Sequence, residues 1–453
     1  MKKAMLFLKL FLIGGLALVI LIALFLVESV ISSRQEYRDE ALKSISASYA
    51  SEQRILGPFL VQPYRVTTPQ ESIDAKGVKK TEMHVEEGTY TIFPKQLVVK
   101  GELKPSIRRH GLYRVPVYEF DGTLSGHFDV PPSPIKGDVQ YGIPYLAYAV
   151  KDARGIVGLP VSRVDGTSYL VVSGSETVAE QNAGFHAPMV WGTNLRTLLP
   201  AMAGKSGSFD VTLDLALAGT RDFDMVPLAD SNHFELASPW AEPLFAGSFL
   251  PRSRDISPAG FHAQWDVSSL ASATQHQLLT ASDSVDAVSV TLADAIDPYR
   301  LADRAVKYGI LFVILTFVGF FLFELVKQML IHPVQYLLVG FCLAVFFLLL
   351  VSFSEHMPFA LAYLISSAAC IGLLTYYLAF VLKSRVYGLT FGAILATLYA
   401  AIYGLLISED NALLLGSLLL FGLIAVVMIA TRKVDWYQKA TALSSEETST
   451  PKV

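Results

Sequence analysis

The fold is decided by the stretch 308–431, which opens with YGILFVILTFVGFF (308–321) and closes with LFGLIAVVMIAT (420–431). Five apolar runs fill this stretch, and each is close to the roughly 20 residues that a helix needs to cross a hydrocarbon core about 30 Å thick. The runs are Tyr308–Phe323, Leu337–Phe353, Phe359–Leu382, Val386–Ile407 and Ala412–Ala430. Because lipid offers a backbone no hydrogen-bond partners, the sequence predicts five transmembrane helices here.

The polar breaks between these runs alternate in charge. One set of breaks is basic and carries Lys327, Lys383, Arg385, Arg432 and Lys433. The other set is acidic and carries Glu355, Glu409 and Asp410. Since short loops rich in Lys and Arg face the cytoplasm, we expect the acidic loops outside and the C-terminal tail, 432–453, inside.

Composition indicates a membrane protein and argues against nucleic-acid binding. The chain is 52% apolar and 17% charged, with a net charge of −4, and no basic cluster lies outside the predicted membrane edges. The two cysteines, Cys342 and Cys370, fall inside predicted spans, where we interpret them as packing residues rather than redox centres. An outer domain without cysteine must be held together by its core.

The N-terminal region 1–27 is predicted to be a sixth span. Basic residues precede an apolar run, Leu10–Val27, that is longer than the apolar core of a typical signal peptide. We therefore expect an uncleaved anchor, with both chain termini in the cytoplasm. The helical pattern continues from Glu28 to about Ser51 and predicts a helical stalk, 28–57, that Gly57-Pro58 ends.

The region 58–296 has the pattern of β-strands. Segments that alternate apolar and polar residues include Thr89–Phe93, Leu112–Phe120, Ser208–Leu217 and a last strand at Ser284–Leu292. Turn signals recur at Asp121-Gly122, Asp165-Gly166 and Ala218-Gly219. Such a pattern predicts a large inserted all-β periplasmic domain, a β-sandwich, with a possible division into two lobes near 177–197.

A short connecting helix, 297–307, is predicted to run directly into the five-helix domain, 308–431. It carries Arg300 and Arg304 within about two turns of the second span. Short outer loops hold Glu355, Glu409 and Asp410 near the bilayer surface. We hypothesise that one of these carboxylates pairs with Arg300 or Arg304 and fixes the outer domain to the membrane half.

Two observations inside the predicted membrane domain leave a structural and a functional interpretation open. Glu324 and Lys327 are three residues apart, a spacing that favours a pair on one helix face near the inner boundary. Polar side chains also recur along the later spans: Ser366, Ser367, Thr375, Tyr376, Thr397, Tyr399 and Tyr403. Helix packing explains them, and a transport or lipid-handling route is the alternative.

No sequence motif indicates catalysis. The nine histidines are scattered without metal-ligand spacing. Gly204-Lys205-Ser206 resembles the end of a phosphate loop, but Leu199 occupies the position of the first glycine. We therefore predict a protein that is not an enzyme and that requires no cofactor and no metal.

Several segments resemble the CreD family of bacterial inner-membrane proteins. The most specific is Ile331–Gly340, which contains His332, and it is followed by Ser354-Glu355-His356. Further matching segments are Ser408–Asp410, Ala412–Ser417, Asp435–Tyr437, Gly111–Tyr118, Gly247–Pro251 and Gly260–Trp265. The resemblance covers nearly the whole chain, is weaker at 177–205 and is absent after Tyr437.

What the resemblance implies is an envelope-integrity protein associated with colicin tolerance and envelope stress, without a known reaction. The leading hypothesis is a non-catalytic inner-membrane protein whose β-domain binds a periplasmic or envelope partner. The expected contacts are therefore the lipid bilayer and that partner, and not nucleic acid. His332, Glu355 and His356 join the candidate structural or coupling residues named above.

Overall fold

The chain forms two units, one of which is inserted into the sequence of the other. The computed structural model describes residues 2–73, 79–173, 193–280, 285–293, 298–327, 332–381, 384–408 and 411–432. One unit, here the helical unit, combines Met1–Arg38 with Ile296–Val453, and the other, the β unit, is Asp39–Ala295. The arrangement is an all-β insertion between an N-terminal apolar helix and a C-terminal group of apolar helices.

The described residues contain seven α-helices. They are α1 (Lys2–Ser48), α2 (Thr274–Leu279), α3 (Pro298–Lys327), α4 (Pro333–Ser354), α5 (Phe359–Val381), α6 (Arg385–Ile407) and α7 (Ala412–Thr431). Five of them, α1 and α3 to α6, are long and apolar enough to cross a membrane. The predicted count of six spans is therefore slightly high for the part of the chain that is described. The sixth predicted segment forms α7, a helix of 20 residues, and its crossing of the membrane remains a prediction.

The helical unit is organised around a core of regularly spaced apolar residues. On α1, Ile20, Leu24, Val27 and Ile31 are all buried and recur every three or four residues, which places them on one helix face. They share their core with α3 to α6. At its centre the ring of Tyr399 lies edge-on to the rings of Phe312 and Phe346, at centroid distances of 4.6 and 4.7 Å. The interior is therefore filled by aromatic side chains.

The β unit contains seventeen strands among the residues described. In chain order they are β1 (Gln53–Ile73), β2 (Lys79–Ile92), β3 (Gln96–His110), β4 (Tyr113–Val130), β5 (Asp138–Tyr141), β6 (Tyr145–Val150), β7 (Ile156–Val164), β8 (Thr167–Tyr169), β9 (Val171–Ser173), β10 (Thr193–Leu198), β11 (Gly207–Thr220), β12 (Asp222–Met225), β13 (Ser231–Ser238), β14 (Pro243–Gly247), β15 (Ser253–Ser257), β16 (Gly260–Ser268) and β17 (Val288–Leu292). They build two sheets. The nine-stranded sheet has the order β14-β17-β12-β1-β6-β10-β9, with β2 and β5 also paired to β1, and the eight-stranded sheet has the order β15-β16-β13-β3-β4-β11-β7-β8.

One hydrophobic core joins the two sheets. Phe223 of the nine-stranded sheet stacks on Phe120 of the eight-stranded sheet at 4.7 Å. Phe245 of the nine-stranded sheet lies edge-on to Trp265 of the eight-stranded sheet, at a centroid distance of 5.7 Å. Strands on both sides of the predicted division near 177–197 contribute to this core, although most of that division lies outside the described residues.

Helix α1 ends at Ser48 and β1 begins at Gln53, so the helix does not reach Gly57-Pro58 as predicted. Before Gly57-Pro58 is reached, the chain already bonds to strand β11. Thr220 Oγ1 donates to Ala50 O at 2.6 Å, and Gln53 Nε2 donates to Ala218 O at 2.9 Å. The last helical carbonyls are capped in turn, because Arg154 Nη1 donates to Ala47 O at 2.5 Å. These tertiary contacts override the local helical preference.

The predicted turns have mixed outcomes. Asp165-Gly166 forms the turn between β7 and β8, with φ values of 46° and 79°. Asp121-Gly122 lies inside β4, and Ala218-Gly219 inside β11. Gly122 is required there for close approach, because a Cβ atom would meet Lys100 O at 2.6 Å and the ring of Phe120.

Candidate functional site

The turn between α4 and α5 brings one acidic side chain into the helical unit. Glu355 is the C-cap residue of α4, and its side chain is only 7% exposed. A carboxylate at the C-terminal end of a helix faces the negative end of the helix dipole, which is unfavourable. The position of Glu355 therefore requires partners that offset both burial and the dipole.

Two other helices supply those partners. Arg34 of α1 places Nε 3.4 Å from Glu355 Oε1. Tyr299 of α3 donates its hydroxyl hydrogen to the same oxygen at 3.2 Å. We call Arg34, Tyr299 and Glu355 the Glu355 site. It joins α1, α3 and the C-terminal end of α4 through one carboxylate oxygen.

Sequence reasoning identified Glu355 but missed Arg34 as its partner. The signal was present, because Arg34 follows Ile31 by three residues and extends the buried face of α1 that contains Ile20 and Leu24. The hypothesised partners Arg300 and Arg304 lie on α3, within the first turns of the helix. Pairing of either arginine with an acidic loop residue remains a prediction.

His332 and His356 both occupy helix ends. His332 is the N-cap of α4: its Nδ1 accepts from Val334 N at 3.3 Å, and the Gln335 side chain accepts from His332 N at 3.1 Å. With Pro333 at the first helical position, this is a complete capping box. His356 Nδ1 lies 3.1 Å from Ser352 O near the other end of α4. Both histidines therefore have contacts that define the bounds of α4.

The remaining predicted residues are described only in part. Glu324 and Lys327 lie on α3, and nothing is described of their side chains, so their pairing remains a prediction. Glu409 and Asp410 lie outside the described residues.

The polar residues of the later helices do not converge as a set. Tyr376 is 66% exposed, and Thr397 is exposed and donates to Ala393 O of its own helix at 3.0 Å. Thr375 packs instead against the backbone at Gly392. Tyr403 stacks beside Tyr363 at a centroid distance of 5.0 Å. These side chains therefore point in different directions rather than towards a common route.

A short chain of polar contacts does cross the interior of the helical unit. The Sγ atoms of Cys342 on α4 and Cys370 on α5 are 3.3 Å apart. Tyr399 of α6 donates its hydroxyl to Cys370 Sγ at 3.1 Å, and Tyr363 donates to Tyr399 O at 2.8 Å. The sequence placed both cysteines in spans, but their contact depends on how α4 and α5 pack and is not visible in the sequence.

The outward side of the eight-stranded sheet carries three histidine–carboxylate pairs, which we call the histidine face. His127 Nδ1 lies 2.7 Å from Asp210 Oδ1, and His233 Nδ1 lies 2.7 Å from Asp266 Oδ1. The third pair is formed by His262 Nε2 and Glu235 Oε1, at 2.9 Å. Because the side chains of a strand alternate in direction, the register places all six residues on the exposed face.

Electrostatics at the histidine face follows from these pairs. The hydrogen bond that His127 donates to the Asp210 carboxylate raises the pKa of His127. Lys100, together with His262, lowers the pKa of Glu235. Sequence reasoning missed the face because the pairing partners come from different strands, and the register between them is a property of the folded sheet.

One part of the histidine face has the connectivity of a catalytic triad. Ser208 Oγ lies 3.3 Å from His127 Nε2, and Asp210 binds the other ring nitrogen. However, the Asp210 side chain is 74% exposed, whereas the acid of a working triad is buried. Asp129 also lies 3.6 Å from the nitrogen that Ser208 contacts. The arrangement is typical of a cross-strand surface network.

Within the described residues, no group of three or more His, Cys, Asp or Glu side chains could hold a metal ion.

Comparison with known proteins gives one extensive match. The sequence profile of the family described as Inner membrane protein CreD matches residues 5–437. The Inner membrane protein CreD of Escherichia coli (strain K12) is 34% identical over 445 residues, which are 96% of this chain and 95% of that protein. The chain belongs to the CreD family. It is therefore an inner-membrane protein, and the apolar helices of this CreD family member contact the lipid bilayer.

Solved structures resemble this chain only weakly. The crystal structure of an M1 zinc metallopeptidase from Deinococcus radiodurans bound to Tyr-Ser-Ala matches with 10% identity. That of a two-domain M1 zinc metallopeptidase bound to L-arginine matches with 8% identity. Each match covers 44% of this chain and 42% of the peptidase chain, with a TM-score of 0.22. The CreD family chain thus spans less than half of those peptidases, at a similarity too low to inform fold or activity. The CreD resemblance at Ile331–Gly340 instead falls on the capping box of α4.

Proposed function

We propose that this CreD family member is a non-catalytic protein that supports envelope integrity by holding an envelope partner on its β unit. In this proposal the β unit is periplasmic, both termini are cytoplasmic, and the helical unit is the membrane anchor. Family membership supports the inner-membrane location. The alternation of basic and acidic breaks along the helices supports the orientation.

The observation that carries the proposal is how the helical unit uses its polar groups. The hydroxyls of Tyr363 and Tyr399 donate hydrogen bonds to neighbouring helices, and aromatic rings pack around Tyr399. Tyr376 and Thr397 lie on exposed sides. Such placement supports an anchor more than the transport or lipid-handling alternative, which needs polar side chains around a common route.

The β unit supports a binding role by its shared core and by the polar side chains on its exposed face. Its two sheets share one core with Phe120, Phe223 and Trp265 at the centre. The histidine face is a broad, hydrogen-bonded strand surface with its polar side chains already placed. Preorganised polar groups on a rigid scaffold reduce the entropy lost on binding, so such a face suits recognition of a polar envelope partner.

A complementation experiment tests this function. A strain that lacks the protein should admit more of a membrane-impermeant dye, and the full chain should restore the barrier. Asp121→Lys and Asp129→Lys, on the outward side of β4, should restore it less well. Glu242→Lys, at an exposed position that precedes β14, is the matched control and should restore it fully. Equal restoration by all three variants would contradict partner binding through this face.

Reporter fusions test the orientation separately. A reporter joined after Ile407 and one joined after Tyr437 should fall in opposite compartments, because α7 lies between them. The same compartment for both would mean that α7 does not cross the membrane and would overturn the predicted location of the C-terminus.

A further inference from the structure

The two cysteines of the chain lie side by side in the helical unit. The sequence contains only Cys342 and Cys370, and their sulfur atoms are 3.3 Å apart as free thiols. A disulfide bond is about 2.05 Å long, so bond formation requires the sulfurs to approach by only about 1.2 Å from this 3.3 Å contact.

The surroundings hold the pair in a reactive arrangement. Tyr399 donates its hydroxyl to Cys370 Sγ at 3.1 Å, which fixes the direction of the Cys370 side chain. The Cys370 thiol in turn points to Cys342 O at 3.6 Å. Both contacts orient Cys370 towards the helix that carries its partner.

Access to the pair is from the outer surface of the helical unit. Cys370 is buried, whereas Cys342 is partly exposed. Its neighbours on α4, Phe341 and Val345, are 41% and 48% exposed. These large apolar side chains on a membrane helix face lipid, so a reagent that reaches Cys342 arrives through the hydrocarbon phase.

We propose that Cys342 and Cys370 form a reversible disulfide that is made by a lipid-soluble quinone. In this reaction each thiol gives up one proton and one electron, the new S–S bond forms between Cys342 Sγ and Cys370 Sγ, and the quinone takes both protons and both electrons to become a quinol. The bond links α4 to α5. It would make the helical unit of this envelope protein responsive to the redox state of the membrane quinone pool.

The test uses the full chain in lipid vesicles. The protein is reduced, exposed to a short-chain ubiquinone analogue, denatured and treated with a maleimide polymer that adds mass to each free thiol. The reduced chain should take up two polymers and the oxidised chain none, which is a clean readout because the sequence holds two cysteines. A reductant should then restore both additions.

Two variants test whether the disulfide requires the observed contact between Cys342 and Cys370 or only the presence of two thiols in the chain. Cys342→Ser leaves one thiol, which should stay reactive to maleimide after quinone treatment. The double variant Cys342→Ser with Val345→Cys keeps two thiols but moves one towards the lipid side of α4, and it should take up two polymers under all conditions. Loss of both polymer additions in this double variant would overturn the requirement for the observed pairing.

Tyr399→Phe tests the positioning role of the hydroxyl while keeping the ring that packs on Phe312 and Phe346. We expect disulfide formation to slow by about fivefold, as loss of one hydrogen bond predicts. The matched control is Tyr363→Phe, which removes an interhelical hydroxyl contact that does not touch sulfur; it should leave the rate of disulfide formation unchanged, whereas a purely structural effect would slow both variants alike. Disulfide formation by a water-soluble oxidant alone, or no bond with any oxidant, would overturn the proposal.

Discussion

Removal of Arg34 is expected to destabilise the helical unit more than neutralisation of its partner Glu355. Glu355 is 7% exposed and Arg34 is 42% exposed, so Arg34→Ala leaves a nearly buried carboxylate with the Tyr299 hydroxyl, 3.2 Å away, as its described hydrogen-bond donor. Glu355→Gln instead removes the charge together with its desolvation cost. An amide in the same place can still accept a hydrogen bond from Tyr299.

The expected size follows from burial and distance. Breaking a fully buried ion pair by removing one partner costs about 3–5 kcal/mol, and an exposed pair contributes about 0–1 kcal/mol. The Glu355 site lies between these limits, because only the acid is shielded and the Nε–Oε1 distance of 3.4 Å is long for a charge-assisted hydrogen bond. We therefore expect about 2 kcal/mol for Arg34→Ala and about 1 kcal/mol or less for Glu355→Gln.

A double-mutant cycle on the full chain in detergent micelles measures this difference. Unfolding of the wild type, both single variants and the double variant gives the coupling free energy, which should be about 1 kcal/mol. The double variant should be no less stable than Arg34→Ala alone, because it no longer carries an uncompensated acid. If the two substitutions are additive, or if Glu355→Gln is the more damaging change, the ion pair does not hold these helices together.

Three further predictions concern parts of the chain outside the Glu355 site. Arg154 holds the pKa of Asp152 well below its usual range, so Asp152 stabilises the folded β unit above about pH 4 and this contribution is lost as pH falls through the depressed value; the stability difference between wild type and Asp152→Asn, followed by strand circular dichroism, should shrink in acid, and a constant difference would refute this. His332→Ala should destabilise the helical unit by about 1 kcal/mol in thermal unfolding, as loss of an N-cap does, and an unchanged midpoint would mean that the capping box contributes nothing. Gly122→Ala should destabilise the β unit by about 1–3 kcal/mol because its Cβ meets a backbone carbonyl, whereas Gly207→Ala, which has open space, is the matched control and should be nearly neutral.

The elements of the helical unit could be predicted because their cause is local. An apolar run of about 20 residues has one way to satisfy its backbone in lipid, so 337–353 could be assigned without knowledge of its neighbours. The corresponding helix α4 covers Pro333–Ser354. Its first residues were recognised as a family feature, and the structure shows their physical role as a helix cap. In the β unit, alternation likewise indicated the strand at 208–217, which lies within β11.

Turn signals and helix-stop signals in the sequence were less informative, because the contacts that explain these residues come from segments far away along the chain. Asp121-Gly122 has the composition of a turn, yet β4 passes straight through it. Gly122 lies opposite Gly101 of β3, and the ring of Phe120 occupies the space that both side chains would need. Gly57-Pro58 has the composition of a helix stop, yet it lies within β1. In each case the residue type reflects packing against a strand from elsewhere in the chain, which local sequence does not contain.

The candidate sites depend entirely on such distant relations. Arg34, the partner of Glu355, lies on the first helix of the chain, far from Glu355 in sequence. Likewise, His127 meets Asp210 only because β4 and β11 pair in one register. A shift of that register by one residue would turn the histidine towards the core, since neighbouring side chains of a strand point to opposite faces. The sequence supplied the ionisable residues and their elements, and helix packing and strand register decided which of them became partners. For that reason the pairs Arg34–Glu355, Cys342–Cys370 and His127–Asp210 are the most direct places to test what the fold adds to the sequence.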